Sequence, residues 1–198
     1  MVNHGKKVGR MVLKLVSSDH KILSTKMEVF DFKNPPTDIH LLCNNLIETM
    51  IAEEGIGLSA NQCGLPYRVF VLWSEPTMVC FNPKIVSYDP EQIYFSEGCL
   101  TYPNLYVKIK RSNKIRVRYQ KPNGETVTET LMGMTARIFQ HELDHLDGIV
   151  YTTRANKLHL DRALRNKKAH DRIVKNNPLA ASRGAVELFK EVKDGNPA

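Results

Sequence analysis

The sequence predicts an α+β fold: a helix, several mostly antiparallel strands and a second helix, with a helical extension at the C-terminus. Three observations carry this reading. An amphipathic helix precedes a series of short apolar and β-branched runs, a second helix follows them, and a Pro-Asn-Gly turn joins two of the runs as a hairpin. The chain has 198 residues, 42% of them hydrophobic and 25% charged. A chain of this size buries about 70% of its extended surface on folding, enough for a real core. The composition excludes a disordered chain, a collagen-like repeat and a coiled-coil rod. No stretch approaches the roughly 18 consecutive apolar residues that a membrane span needs.

The elements follow in order. Residues 1–10 are basic and polar, and Met1–Lys7 holds no apolar run, so no secretory signal is expected. Either Met11 is an alternative start or this leader is a floppy arm. Pro35-Pro36 ends the next segment, and Thr37 or Asp38 can cap a helix running to Glu54. Its apolar residues, Ile39, Leu42, Cys43, Leu46, Ile47, Met50 and Ile51, fall on one face. Gly55 is the expected stop. Gly55 to Gln62 reads as a Gly-rich link. Strands are expected at Tyr67–Trp73, Met78–Val86 and Leu105–Ile109. Lys114–Gln120 alternates strictly, with Ile115, Val117 and Tyr119 on one face and Arg116 and Arg118 on the other. Pro122-Asn123-Gly124 turns the chain into a partner strand, Glu125–Leu131. A second helix is expected from Met134 to Leu146, stopped by Gly148. Beyond Tyr151 the pattern becomes basic over Leu158–Lys175, Pro178 breaks it, and Ala181–Val192 reads as a short amphipathic helix.

Charge divides the chain. Residues 1–153 carry 17 Lys/Arg and 16 Asp/Glu, net +1, whereas residues 154–198 carry 11 and 5, net +6. The expected organisation is therefore a nearly neutral main body over 1–153 and a basic, helical extension over 154–198. The extension suits either a solvated helix face or an anionic partner such as RNA. Lys108–Lys121, with seven basic and no acidic residues, is a second candidate surface, for which a solvated sheet face is the simpler account. The cysteines at 43, 63, 80 and 99 form no CxxC pair, so no disulfide framework is expected. Cys43 and Cys80 lie in apolar surroundings and read as core.

The strongest chemical signal is His141-Glu142-Leu143-Asp144-His145. On a helix His141 and His145 are one turn apart on one face and can share a metal ion, with Glu142 beside them to take a proton from bound water. A catalytic site of this kind usually has a third protein ligand. The downstream options fail: the residue six after His145 is Tyr151, and no Glu follows before Glu187. Upstream, Cys99 sits in Glu97-Gly98-Cys99-Leu100, where a thiolate can complete a Cys-His-His site.

Three segments together resemble the peptide deformylase family. Gly55-Ile56-Gly57-Leu58-Ser59-Ala60-Asn61-Gln62 matches G-x-G-L-A-A-x-Q, with Ser59 in place of alanine. Glu97-Gly98-Cys99-Leu100-Thr101 matches E-G-C-L-S, with threonine in place of serine, and Gln140 to Gly148 matches Q-H-E-x-D-H-L-x-G throughout. The resemblance spans about residues 35–153. It implies a central metal-binding helix and removal of the formyl group from N-formylmethionine of nascent peptides, with release of formate. It implies Cys99, His141 and His145 as metal ligands, Glu142 as general base and acid, and the Gln62 amide and Leu100 backbone N–H as stabilisers of the formyl oxygen's charge. It also implies that Gly55 and Gly57 let a peptide approach closely, with Ile56 or Gly57 offering strand-like hydrogen bonds. Ile138, three residues before His141, suits the methionine pocket or a plain core position. Arg111 stands twelve residues after Cys99, the family's usual spacing for an arginine, and is expected to pair with Glu97. The implied metal is Fe²⁺ in a reducing cytoplasm, with Ni²⁺, Co²⁺ or Zn²⁺ as substitutes. Neither a membrane nor DNA is an expected partner; the ribosome is, through the basic extension. The alternatives are a metalloprotease-like hydrolase for another amide, which leaves Gln62 and the Glu97–Leu100 loop unexplained, and a non-catalytic, metal-stabilised ribosome- or RNA-binding module, which has no need of Glu142.

Overall fold

The computed structural model describes residues 11–176, so the leader and the helix expected over Ala181–Val192 lie outside the described residues. The chain runs through α1 (Ile39–Ala52), β1 (Gly57–Ser59), β2 (Val69–Leu72), β3 (Met78–Tyr88), β4 (Gln92–Cys99), β5 (Tyr102–Ser112), β6 (Lys114–Gln120), β7 (Thr126–Met132), α2 (Gly133–Leu146) and α3 (Lys157–Asn176). Five strands form an antiparallel sheet in the order β1-β2-β3-β6-β7, and β4 and β5 form a second, two-stranded sheet. Helix α2 packs against β1, β2, β6 and β7 of the first sheet and β5 of the second, so it is the central element.

Asp38 is the cap of α1: its carboxylate accepts from the Leu41 N–H at 2.8 Å. Leu42, Cys43, Leu46 and Met50 are buried against β1 and β2, but Ile51, expected on the same face, is 50% exposed. At about 100° per residue Ile51 lies well round the helix from the line of Leu42, Leu46 and Met50. The helix is stopped by Glu54, not Gly55: Glu54 takes the left-handed conformation, φ 53°, and the Gly55 N–H then reaches the Met50 carbonyl at 2.8 Å. Gly55 to Gln62 is more than a link, since Gly57–Ser59 pairs with Phe70–Leu72 as the edge strand β1. The expected strands at Tyr67 and Leu105 are redrawn as Val69–Leu72 and Tyr102–Ser112, and β4 is an additional strand.

The β6–β7 hairpin forms with the expected alternation, Ile115, Val117 and Tyr119 being buried and Arg116 and Arg118 exposed. The basic strip does not hold together as one surface. Arg111 is buried, Lys108 and Lys110 lie beside Tyr94 on the small sheet, and the remaining cations are on or beside β6 of the large one. Cys43 and Cys80 are buried free thiols, as expected, and none of the four cysteines is in a disulfide. Gly148 ends α2 at φ 70°, where a Cβ would lie 2.8 Å from the backbone of Ser24 and Thr25. Only glycine fits that approach. Helix α3 lies on β5, with Ala163 buried and Leu160 packed against Leu105, Val107, Ile109 and Tyr151.

Candidate active site

Helix α2 delivers His141, Glu142 and His145, and the end of β4 delivers Cys99. The Cys99 Sγ lies 3.2 Å from the His145 Nε2, and the ligand atoms of Cys99, His141 and His145 all fall within 4.8 Å of one another. Burial alone would raise the Cys99 thiol, but the neighbouring histidines outweigh it and hold the group well below its ordinary range. A thiolate is the form that binds a metal. His141 is pushed the other way: burial lowers it, yet Cys99 and Glu97 raise it to about 10. A cation bound here takes the place of that proton.

The ligands are braced from behind by a buried charge network. Glu97 accepts from the Arg111 Nε at 2.7 Å and Nη2 at 2.9 Å, from the Arg137 Nη1 at 2.6 Å, and lies 3.1 Å from the His141 Nδ1. Engaging Nδ1 leaves the Nε2 of His141 for a ligand role. Asp144 accepts from the Arg111 Nη1 at 2.8 Å and the Arg154 Nη2 at 2.6 Å. The expected Arg111–Glu97 pair is therefore present, and Arg137, Asp144 and Arg154, to which the sequence alone assigns no role, complete the network around it.

A cavity of about 370 Å³ opens beside these residues. Of the residues expected in the site, Gly55, Ile56, Gly57, Gln62, Cys99, Leu100, Ile138, His141 and Glu142 line it, whereas His145 lies behind, 2% exposed. Gly57 has to be glycine: a Cβ would sit 2.5 Å from the Glu142 Oε1 and 2.8 Å from the Ile138 Cγ2. Gln62 has a defined amide orientation. Its Oε1 accepts from the Ser59 N–H at 2.8 Å, so its Nε2 is the donor, 3.0 Å from the Thr101 Oγ1 and 3.5 Å from the Cys99 Sγ. Thr101, the second departure from the family motif, thus keeps the hydroxyl that Gln62 needs. Glu142 is 4% exposed, and its Oε2 accepts from the Ser59 Oγ at 2.7 Å. By sequence, Ser59 is only a replacement for the motif's alanine. Its role depends on a partner 83 residues away, which no local pattern reveals.

A thiol and two imidazoles meeting beside a buried carboxylate, at the wall of a cavity, make the site of a metal-dependent hydrolase. The family model described as polypeptide deformylase matches residues 12–161, and the chain belongs to that family. It is 44% identical over 128 residues to a peptide deformylase of Thermotoga petrophila, covering 64% of this chain and 76% of the relative. It is 37% identical over 150 residues to the peptide deformylase of Aquifex aeolicus, covering 73% and 88%. The fold superposes on the crystal structure of the Thermotoga maritima peptide deformylase with a TM-score of 0.69 at 34% identity, covering 74% of this chain and 99% of that one. A peptide deformylase of Synechococcus elongatus in complex with actinonin gives 0.70 at 30% identity, covering 79% and 86%. The alternative of a non-catalytic RNA-binding module finds no support among these relatives.

Proposed function

We propose that Cys99, His141 and His145 hold one divalent metal ion, and that Glu142, Gln62 and the Leu100 backbone N–H act on the substrate beside it. The supporting observation is the approach of the three ligand atoms to within 4.8 Å of one another, next to a buried glutamate that lines the cavity. As a peptide deformylase the chain is a hydrolase that removes the formyl group from N-formylmethionine of nascent peptides.

The donor set fits the ion: one sulfur, two imidazole nitrogens, and a side open to the cavity. When bound, the ion acts as a Lewis acid and makes a water nucleophilic near neutral pH. Glu142 takes the attacking water's proton and returns it to the leaving amine. Burial raises the pKa of Glu142 against the opposing pull of His141, His145 and Ser59, which suits a group that must hold a proton between two steps. The Gln62 Nε2 and the Leu100 N–H receive the charge that develops on the formyl oxygen. Gly55 and Gly57, with the backbone of Ile56 or Gly57, hold the peptide in extended form. Ile138 contributes to the methionine pocket.

Sulfur–imidazole sites accept iron, cobalt, nickel and zinc. We assign Fe²⁺ in the cell, with Ni²⁺, Co²⁺ or Zn²⁺ as substitutes, and a reducing, cytoplasmic setting that keeps the ion and the thiolate intact. Among the described residues no helix is long and apolar enough to cross a membrane. Formate release from a formyl-Met tripeptide, by protein loaded with Fe²⁺ or Ni²⁺ without air, tests the reading. A fully metallated protein that releases no formate overturns it.

The basic extension over 154–198, appended to the catalytic body over 1–153, is proposed as a ribosome contact. Helix α3 exposes Arg162, Arg165, Lys168, Arg172 and Lys175, which suit phosphate oxygens. Cutting the chain at 153 would uncover the apolar face of β5, so charge reversal is the better test. Replacing Arg165, Lys168 and Arg172 by Glu should abolish salt-sensitive ribosome binding, and unchanged binding would refute the contact.

A further inference from the structure

The Ser59 hydroxyl reaches the Glu142 carboxylate at 2.7 Å and the Glu142 carbonyl at 3.0 Å. It has one proton to give, and the ionised carboxylate at the shorter distance is the stronger acceptor. Both residues are buried, Ser59 at 0% and Glu142 at 4% exposed, so water does not compete freely for this bond. The two carboxylate oxygens are thereby made unequal. Oε2 is held by Ser59, whereas Oε1 lies over Gly57, where even a Cβ would come to 2.5 Å, and among the described residues nothing donates to it. The Ser59 backbone meanwhile fixes Gln62 through its N–H. One residue of β1 thus holds, by separate atoms, both groups that flank the reacting bond.

We infer that Ser59 is a positioning residue for the deformylation reaction, which tethers Glu142 by Oε2 and leaves Oε1 as the oxygen that exchanges the proton. The inference rests on the deformylase reading and goes beyond it, because the family motif has alanine at this position and lacks the hydroxyl. The tether acts on the step in which Glu142 moves a proton, so it bears on kcat and not on peptide binding.

Ser59→Ala tests it cleanly. The substitution keeps the backbone N–H that anchors Gln62, and alanine is the residue of the family motif, so the fold is retained. The expected result is a kcat lowered roughly tenfold, the scale of one charge-assisted hydrogen bond. KM and bound metal per chain should stay within twofold of the parent. The same substitution in a Glu142→Asp background, where the shorter side chain no longer reaches the hydroxyl, should lower kcat no further. An unchanged kcat in Ser59→Ala overturns the inference. So does a loss seen in KM or metal content, or an equal loss in the Glu142→Asp background. An inactive, fully metallated parent would instead sink the deformylase reading itself, so the two failures are distinguishable.

Discussion

Helices α1 and α2 are each fourteen residues long, and they are buried on opposite terms. In α1 the buried set is a stripe, Leu42, Cys43, Leu46 and Met50 with Asn45 and Thr49 at its edge, and the other side faces solvent. In α2 every residue from Ala136 to Leu146 is buried, and Arg137, Gln140, His141, Glu142, Asp144 and His145 are among them. Burying a polar group without a partner costs about 1–3 kcal/mol. The α2 side chains avoid this through specific partners: Arg137 on Glu97, Gln140 on the Ser112 carbonyl, Asp144 on Arg111 and Arg154, Glu142 on Ser59, His141 on Glu97 and His145 beside Cys99. Helix α1 is held by area, and α2 by a list of partners. A helix of the second kind tolerates less change, and the fold uses it to fix reacting groups.

Breaking the partner network gives the largest effect. Arg111→Ala leaves Glu97 and Asp144 each short of a buried cation, and breaking such a pair by removing one side costs about 3–5 kcal/mol. Because Glu97 orients His141, metal affinity should also fall by about 10–100-fold, measured by competition with a chelator. A variant with full metal affinity and rate would show that the network is not what holds the site.

Acid should dissolve the same network without a mutation. Burial alone would raise the Glu97 pKa, but its bonds to His141 and Arg111 outweigh that and bring it from 4.5 to about 2. A carboxylate whose folded pKa is depressed stabilises the fold fully above its unfolded value, and the contribution is lost as pH falls through the folded one. Urea unfolding should therefore show Glu97-dependent stability constant above about pH 5 and declining toward pH 2. Glu97→Gln should flatten that part of the profile, and an unchanged slope would contradict the assignment.

The contrasting change in α1 should be smaller and separable. Leu46→Ala removes a fully buried side chain and should cost about 2–5 kcal/mol in unfolding free energy, with kcat and metal content unchanged. A kcat effect comparable with that of Arg111→Ala would mean that the two helices are not independent.

The same contrast explains what the sequence disclosed. The periodic stripe of α1 and the strict alternation of β6 are repeating signals, and both elements formed where expected. The proposed metal site was legible because His141 and His145 share one helix turn with Glu142 beside them, and because the Cys99 loop is distinctive. Strand β1 was not, because Gly-Leu-Ser is three residues long and buried throughout, with no alternation to see. Strand β4 was missed because Gln92 to Tyr94 are exposed together and Gly98 interrupts the run. Ser59, Arg137 and Asp144 take their meaning from partners 83, 40 and 33 residues away, and only the folded chain supplies those.

The buried polar face of α2 is proposed as the catalytic centre, with Glu142 moving the proton. The most direct measurement is formate release from a formyl-Met tripeptide by Glu142→Ala and by the parent, both prepared without air, with metal per chain determined on the same samples. Equal metal content and a kcat lowered by roughly 10²–10⁴-fold or more are expected in the variant. A fully metallated variant within a few-fold of the parent would contradict it.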